Sequence, residues 1–383
     1  VPVEPDGSAD FEVPALRPLF FVALDENDLS VKRMQSFVSV EPGETTGCVG
    51  CHEQRLRPPL AGTGSLAFLG RKPRRIEPIQ GVPDVLDFPR DVQPILDRHC
   101  VACHNPDKPE GRVDLCGDHA PLFAQSYRAI MQRGLISDGR NEKYGDRPPR
   151  TIGSSASRLM KLIDGSHYDA KVSDVERKTI RLWIESSAVY AGTYAALASG
   201  MHPVEFPIEV LESRCGKCHG HEPAGRRIGR GMYFQFGSEG PALPLVHQFT
   251  DLARIRGSIG YYKFGSARPP QSLCNLTRPE KSLLLRAPLS KAVGGLEYCG
   301  QAVFRDTQDP AYQAILARIN TAAEKHRQEK RFDMPGFRPN VYYTRMMQRY
   351  GVLPADLKPD APIDFRAAER AYWDSFIWHG AER

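Results

Sequence analysis

The chain has 383 residues, of which 41% are hydrophobic and 9% aromatic, as in an ordinary globular protein. This length allows two or three domains. No stretch approaches the roughly 18 apolar residues that a membrane-spanning helix requires, so we expect no membrane span. The formal net charge of +5 is too modest to favour nucleic-acid binding.

The N-terminal residues have the pattern of short strands rather than of helices. Apolar and polar residues alternate from Phe11 to Ala15, and an apolar run follows at 19–22. The segment 54–78 is rich in proline and arginine, which is typical of a linker. We therefore predict a β-rich first domain at residues 1–77.

A Cys-x-x-Cys-His pentapeptide occurs three times in the chain. This motif attaches c-type haem, because its two thiols form thioethers with the porphyrin and its histidine becomes the proximal iron ligand. Zinc or disulfides are the alternative, but the knuckles of a zinc ribbon usually lie about 15–20 residues apart. Here the motifs are much farther apart. They predict three covalently attached haem c groups, held by Cys48, Cys51 and His52, by Cys100, Cys103 and His104, and by Cys215, Cys218 and His219.

Covalent haem also has consequences for charge and compartment. The haem propionates would cancel the formal positive charge, which again gives no support to a nucleic-acid partner. Haem c is attached outside the bacterial cytoplasm, where disulfides also persist. The chain begins Val1-Pro2-Val3, as a processed or excised chain would. We expect a periplasmic or otherwise extracytoplasmic bacterial protein.

After residue 85 the same sequence pattern occurs twice. Phe88-Pro89 precedes the second motif and Phe206-Pro207 precedes the third, each followed by residues with helical patterning. Farther along, Ser157 and Ser282 each introduce a short, largely apolar segment. The pattern indicates an internal duplication, with one haem motif in each copy.

Each copy is predicted to close with a helix. In the first copy Ser173 and Glu176 form a capping box, and in the second Asp309 caps a helix that begins with Pro310. A helix before the motif and one closing the unit is the plan of cytochrome c, in which two helices clasp the flat macrocycle. We therefore predict a mainly α fold with an N-terminal β portion. Two tandem cytochrome c-like domains, at residues 78–200 and 201–383, are each predicted to clasp a covalent haem.

The sixth ligand of each haem iron bears on function. An electron-transfer haem normally has a sixth ligand, whereas an open sixth coordination position lets the iron react with a small molecule. His167 lies in a loop just before the closing helix of the first copy, so we predict that it binds the second haem. The corresponding loop of the second copy, at 294–299, contains no histidine. For the third haem we favour His247. The alternatives are no ligand at all, His326, Met334 and Cys299.

The remaining cysteines and histidines are interpreted as structural. Cys274 and Cys299 are predicted to form a disulfide, which would add roughly 3 kcal/mol of stability by closing a loop. Cys116 has no evident partner and is expected to be a buried thiol. Surface or propionate-side positions are expected for His99, His119, His202, His221 and His379.

Four segments resemble the hydrazine synthase alpha-subunit-related proteins. They are Pro2–Ser8, Cys48–Glu53, Arg90–Asp97 and Arg331–Pro339. The resemblance runs from end to end, to the haem-bearing C-terminal part of that family. It implies an N-terminal β-propeller-like region that is missing from this chain.

The resemblance also implies a reactive first haem. In hydrazine synthase a tyrosine shortly after this motif binds the iron, and the motif histidine is drawn toward zinc. Here His52 is followed by Glu53-Gln54-Arg55-Leu56-Arg57, which contains no tyrosine. The third motif has no counterpart that we can assign in the family.

These features lead to two hypotheses about function. The first is a triple-haem c-type cytochrome that relays electrons between redox partner proteins. The second is a redox enzyme whose first or third haem has an open coordination position and acts on a small nitrogen or oxygen compound. A weaker third hypothesis is a docking module in which the haems are mainly structural. The open coordination position is what distinguishes the first two.

Overall fold

The computed structural model describes residues 1–5, 7–48, 72–137, 139, 147–197, 199, 202–219 and 270–375. About 38% of the structure is helical, and its strands are few and short. The α-helices of these residues are α1 (Gln93–His99), α2 (Gln125–Gln132), α3 (Arg158–Leu162), α4 (Asp174–Glu185), α5 (Ile208–His219), α6 (Leu283–Arg286), α7 (Pro310–Glu329), α8 (Val341–Arg349) and α9 (Phe365–Asp374).

The strands of the described residues all lie in the first 75 residues, within the domain that the sequence predicts to be β-rich. They form two small two-stranded sheets. One pairs β1 (Phe11–Glu12) in parallel with β4 (Arg74–Arg75), and the other pairs β2 (Val22–Leu24) with the antiparallel β3 (Ser30–Arg33).

The assignment of Arg74 and Arg75 to a linker is wrong. These residues form β4, because the Arg74 amide donates to the carbonyl of Asp10 at 3.1 Å and its guanidinium binds Glu4 at 2.6 Å. The partners are distant in sequence, so local composition does not reveal the strand. Residues 54–71 of the predicted linker lie outside the described residues.

Two apolar cores lie along the chain, one on each side of residue 200. We call residues 78–200 the first repeat and residues 201–329 the second repeat. The core of the first repeat includes Phe88, Leu96, Tyr127, Ile130, Trp183 and Ile184. The core of the second includes Leu211, Leu273, Leu285, Phe304, Ile315 and Ile319. Burial of one such side chain stabilises the fold by about 1.5–3 kcal/mol.

The internal duplication is visible at equivalent serines. Ser157 and Ser282 are both buried, both immediately precede a short helix, and both follow a turn of 3₁₀ helix. Each hydroxyl oxygen accepts a backbone N–H from an upstream residue, Ser137 at 2.9 Å in the first repeat and Asn275 at 2.8 Å in the second. The two segments therefore share a local structure as well as a sequence pattern.

Both predicted closing helices are confirmed. Ser173 and Glu176 form the reciprocal capping box of α4. The Asp309 carboxylate accepts the amide of Ala311 at the start of α7, and Pro310 occupies the first turn, where its missing N–H costs nothing.

A buried ion pair fixes the segment after α7 to the first repeat. Arg331 and Asp333 are almost fully buried, with guanidinium–carboxylate distances of 2.7 Å. Tyr190 donates its hydroxyl to Asp333 at 2.6 Å and accepts from Arg331 at 3.0 Å. The Arg331 charge and these hydrogen bonds hold the pKa of Asp333 low against the burial that would raise it.

The sequence predicts surface or propionate-side positions for His119 and His202; a surface position does not hold for His202, and His119 is half-buried. His202 is buried, and a ring nitrogen of His119 lies 3.0 Å from one of His326, itself 1% exposed. Burial, and then the nearby Arg331 charge, lowers the pKa of His119 to about 4 and that of His326 to about 3, so both rings are neutral at pH 7. The helix α7 and the first repeat meet at these residues, a contact that local sequence does not indicate.

We predict that Arg331→Met destabilises the protein by about 3–5 kcal/mol, because it leaves the Asp333 carboxylate buried without its cation. Denaturant unfolding followed by circular dichroism measures the change. The control is Arg327→Met, which removes an exposed pair with Glu324 and should shift the midpoint little. Equal midpoints for the two variants would contradict the prediction.

Candidate haem-attachment sites

The second motif continues directly from helix α1. The amide of Cys100 donates to Leu96 at 2.8 Å, and the amides of Cys103 and His104 donate back to the Cys100 carbonyl at 3.2 and 3.0 Å. These bonds wind the motif into a compact turn at the helix end. The turn places both thiols and the histidine within a few residues of one another.

The His104 ring is oriented by the backbone that follows it. One ring nitrogen, Nδ1, lies 3.0 Å from the carbonyl oxygen of Glu110. If Nδ1 donates in this bond, the other nitrogen carries a lone pair and is the one available to a metal. The amide of Glu110 donates to Cys103 at 3.2 Å, which holds this carbonyl against the motif.

His167 faces His104 across a narrow gap. The two ring centroids are 6.0 Å apart and the ring planes differ by 16°. A metal–imidazole bond is about 2 Å long and the ring centre lies about 1 Å beyond the nitrogen, so two imidazoles on opposite sides of one metal have centroids about 6 Å apart. The separation of the two ring centroids is the one that a shared metal would require, and the two ring planes are nearly parallel.

The loop that presents His167 is a short, closed turn. Asp164 and Lys171 form an isolated antiparallel bridge across its base, and the amide of Ala170 donates to the His167 carbonyl at 2.9 Å. Tyr168 and Asp169, at its tip, adopt left-handed backbone with φ of 48° and 61°. Such residues persist where surrounding structure holds them, and here they reverse the chain immediately after the histidine.

The third motif lies on helix α5. Cys215 is half-buried beside the second core, and Cys218 is exposed. Burial raises the pKa of the Cys215 thiol to about 11. In the second motif, burial likewise raises the pKa of the Cys100 thiol to about 11. The two leading thiols of the two repeats thus have matching environments. The side chain of His219 and the favoured ligand His247 lie outside the described residues.

The predicted disulfide between Cys274 and Cys299 is wrong. Cys274 lies in the apolar core of the second repeat with no exposed surface, whereas Cys299 is exposed in a loop, and the two are not bonded to each other. Cys299 instead lies near the third motif. The charge of Cys299 contributes to the raised pKa of Cys215, and the charge of Cys218 contributes to the raised pKa of Cys299. Cys116 is buried, as predicted.

Two alternatives for the third haem are engaged elsewhere. His326 contacts His119, and the sulfur of Met334 accepts the amide of Arg331 at 3.3 Å. Both residues belong to the junction with the first repeat. Of the sixth-ligand alternatives within the described residues, Cys299 is the one beside the third motif.

Sequence reasoning missed the residues that follow the second motif. Asp107 binds Lys281 at 2.5 Å, and the Arg112 guanidinium lies over the ring of Tyr298 at 4.6 Å. Both contacts join the two repeats. The sequence does not indicate that residues so far apart are in contact. The one local feature that could have drawn attention to this segment is the short turn between Cys103 and Glu110.

Only Cys48 of the first motif is among the described residues, and it is exposed. Cys51 and His52 lie outside them. In the part of the chain that the structure describes, no group of three or more His, Cys, Asp or Glu side chains is arranged to hold a metal ion.

Residues 1–53 match the family model of the hydrazine synthase alpha subunit middle domain. The match supports a relation to that family for the N-terminal part of the chain, up to and including the first motif. It does not extend to the resembling segments at Arg90–Asp97 and Arg331–Pro339. No curated protein and no solved structure matches the chain. Among the described residues, no helix is long and apolar enough to cross a membrane.

We predict that Cys299 and Cys274 differ in their reaction with iodoacetamide. In the native protein Cys299 reacts at its exposed position, and its reaction rises at higher pH than for an ordinary thiol because partial desolvation raises its pKa, whereas Cys274 reacts only after denaturation. Peptide mass spectrometry measures both labels. Labelling of neither residue under non-reducing denaturing conditions would indicate the disulfide and contradict the structure.

Proposed function

We propose that this chain is a triple-haem c-type cytochrome that transfers electrons outside the cytoplasm, between redox partner proteins. Its two repeats are cytochrome c-like domains, each clasping one covalent haem. The observation that carries the proposal is the opposed pair His104 and His167, with centroids 6.0 Å apart. The three Cys-x-x-Cys-His motifs supply the attachment chemistry.

The residues of the second motif and of the His167 loop have separable roles. Cys100 and Cys103 would hold the porphyrin through thioethers, His104 would bind the iron from the helix side, and His167 would bind it from the loop side. The Glu110 carbonyl fixes the ring of His104. Haem c supplies reversible one-electron chemistry when bound, and an iron with two histidine ligands exchanges electrons without binding substrate.

The second candidate is a redox enzyme related to hydrazine synthase, with an open haem that acts on a small nitrogen or oxygen compound. The match of residues 1–53 favours it, because that match contains the first motif. The absence of a tyrosine among residues 53–57 removes the iron ligand that the resemblance implies. We therefore place electron transfer first and confine the enzyme hypothesis to the first and third haems.

Haem content and ligand binding test the proposed function. The intact mass should exceed the polypeptide by three haems that resist acid–acetone extraction, and carbon monoxide should bind the reduced protein at no more than two of them. A mass with two haems and a zinc ion would overturn the assignment of the first motif. Failure of carbon monoxide to bind any haem would remove the enzyme candidate and leave electron transfer.

Ligation by His167 can be tested separately. His167→Ala should convert about one third of the haem absorbance from low spin to high spin, since one of three irons loses its sixth ligand. The matched control is Tyr168→Phe, which alters a side chain that is 92% exposed beside His167 and should leave the spectrum unchanged. An unaltered spectrum in His167→Ala would contradict ligation by this residue.

A further inference from the structure

Three histidines meet where the second repeat joins the first. His326, on α7, and His202 belong to the second repeat, and His119 belongs to the first. Nε2 of His326 lies 3.0 Å from Nδ1 of His119, and the ring centroids of His326 and His202 are 6.0 Å apart. Both histidines of the second repeat are buried, and His119 is half-buried. We call these three residues the histidine cluster.

The protonation state of His326 decides whether its ring can be satisfied in this contact. Where it faces His119, one nitrogen donates a hydrogen bond and the other accepts it, so the two rings cannot both carry a proton there. The second nitrogen of His326, Nδ1, is buried and has no hydrogen-bond partner among the described residues. A positively charged His326 would therefore bury an N–H group without an acceptor, which is costly. The contact favours a neutral ring.

The charged and titratable groups around the histidine cluster do not compensate a charge on His326. They are Asp118 and Tyr190 of the first repeat, Lys325 and Glu329 of α7, and Arg331 and Asp333 of the following segment. The Asp333 carboxylate is 3.6 Å from His119 and is already bound by Arg331. The exposed Glu329 carboxylate is 3.5 Å from His202. The Arg331 charge opposes a positive charge on each of the three rings.

Protonation of the histidine cluster is therefore coupled to its burial. Burial first, and then the Arg331 charge, lowers the pKa of His119 to about 4 and that of His326 to about 3. Burial also lowers the pKa of His202. A histidine in water has a pKa of about 6.5, so the rings bind protons more readily when the junction is open. The stabilisation of the closed junction is complete above about pH 6.5 and is lost as the pH falls toward the lowered values.

Two carboxylates at this junction keep their charge while the histidines change theirs. The Lys281 ammonium lowers the pKa of Asp107, and the Arg331 charge lowers the pKa of Asp333 against the effect of burial. Both acids therefore stay ionised between about pH 6.5 and 5. A change in the junction over this range reports the histidine cluster.

We propose that the histidine cluster makes the docking of the two repeats sensitive to acid, because protonation of His326 and His119 opens the junction at the C-terminal end of α7. Each ring takes one proton from the solvent, and the hydrogen bond between the two rings is lost. The inference goes beyond the proposed function, since it concerns how the polypeptide responds to pH.

One backbone hydrogen bond of the junction reports this opening. The amide of Leu276, in the second repeat, donates to the carbonyl of His119 at 2.7 Å, and Leu276 is 1% exposed. Its hydrogen exchange therefore requires the two repeats to separate at the histidine cluster. The amide of the fully buried Ala188 donates to Trp183 at 2.7 Å and exchanges when the core of the first repeat unfolds. An exchange rate of Leu276 above that of Ala188 shows local opening rather than unfolding of this core.

The experiment measures hydrogen exchange of the full chain by mass spectrometry between about pH 7 and 5, corrected for the intrinsic pH dependence of amide exchange. Exchange of Leu276 should accelerate as the pH falls, by up to about tenfold per pH unit for each histidine that gains a proton on opening. His326→Gln and His119→Gln keep a polar side chain, and each should make this dependence shallower by up to about tenfold per pH unit. The matched control is His99→Gln, which removes a histidine whose carboxylate partner lies within the first repeat and should behave as the unsubstituted chain.

Three results would overturn the inference. They are a Leu276 exchange rate that does not change with pH, an equal pH dependence in the unsubstituted chain and in both histidine variants, and exchange of Leu276 no faster than that of Ala188. Should one variant fail to fold, the other provides the same comparison, and the profile of the unsubstituted chain tests the inference in either case. None of these results bears on the proposed function, which haem content and ligand binding test separately.

Discussion

The apolar core of the first repeat is the constraint that sets where His104 and His167 lie. His104 comes from the end of α1 and His167 from a loop between α3 and α4, so their relative position is set by how these helices pack. The helices share one apolar core, in which the rings of Phe88 and Trp183 are 5.2 Å apart. Displacement of either helix would change the 6.0 Å separation of the histidine rings.

The junction between the repeats obeys a different physical rule. Its contacts include charged and polar side chains, such as Asp118 with Arg278 and His119 with His326, and the buried pair Arg331–Asp333 lies next to it in the segment after the second repeat. Buried ion pairs contribute little net stability, because desolvation offsets their attraction, but they are costly to break one partner at a time. Their value here is orientation, since each pair is satisfied in one arrangement of the two repeats.

The second repeat keeps the frame of the first and changes its loop. The buried serine, the short helix and the capped closing helix recur. The loop corresponding to that of His167 instead carries Tyr298 and Cys299, one facing Arg112 of the first repeat and the other beside the third motif. The equivalent loops thus make different contacts: His167 lies beside His104 in the first repeat, and Tyr298 contacts Arg112 of the neighbouring repeat.

The sequence by itself determined the features that are encoded locally. The Cys-x-x-Cys-His motifs, the duplication at Ser157 and Ser282, and the capped helices α4 and α7 all depend on residues within a few positions of one another. Position within the repeat predicts that His167 binds the second haem; in the structure its ring centroid lies 6.0 Å from that of His104, and ligation by His167 stays a prediction.

Only the tertiary structure decided which distant residues meet. The sequence predicts a bond between Cys274 and Cys299, yet burial places one thiol in the core and the other at the surface. It predicts a surface or propionate-side position for His119, because a lone histidine does not indicate its contact partner, whereas in the structure this half-buried residue contacts His326 of α7. The contact of Arg112 with Tyr298 is of the same kind. These contacts between distant residues depend on how the whole chain packs, and they produce no periodic pattern in the sequence.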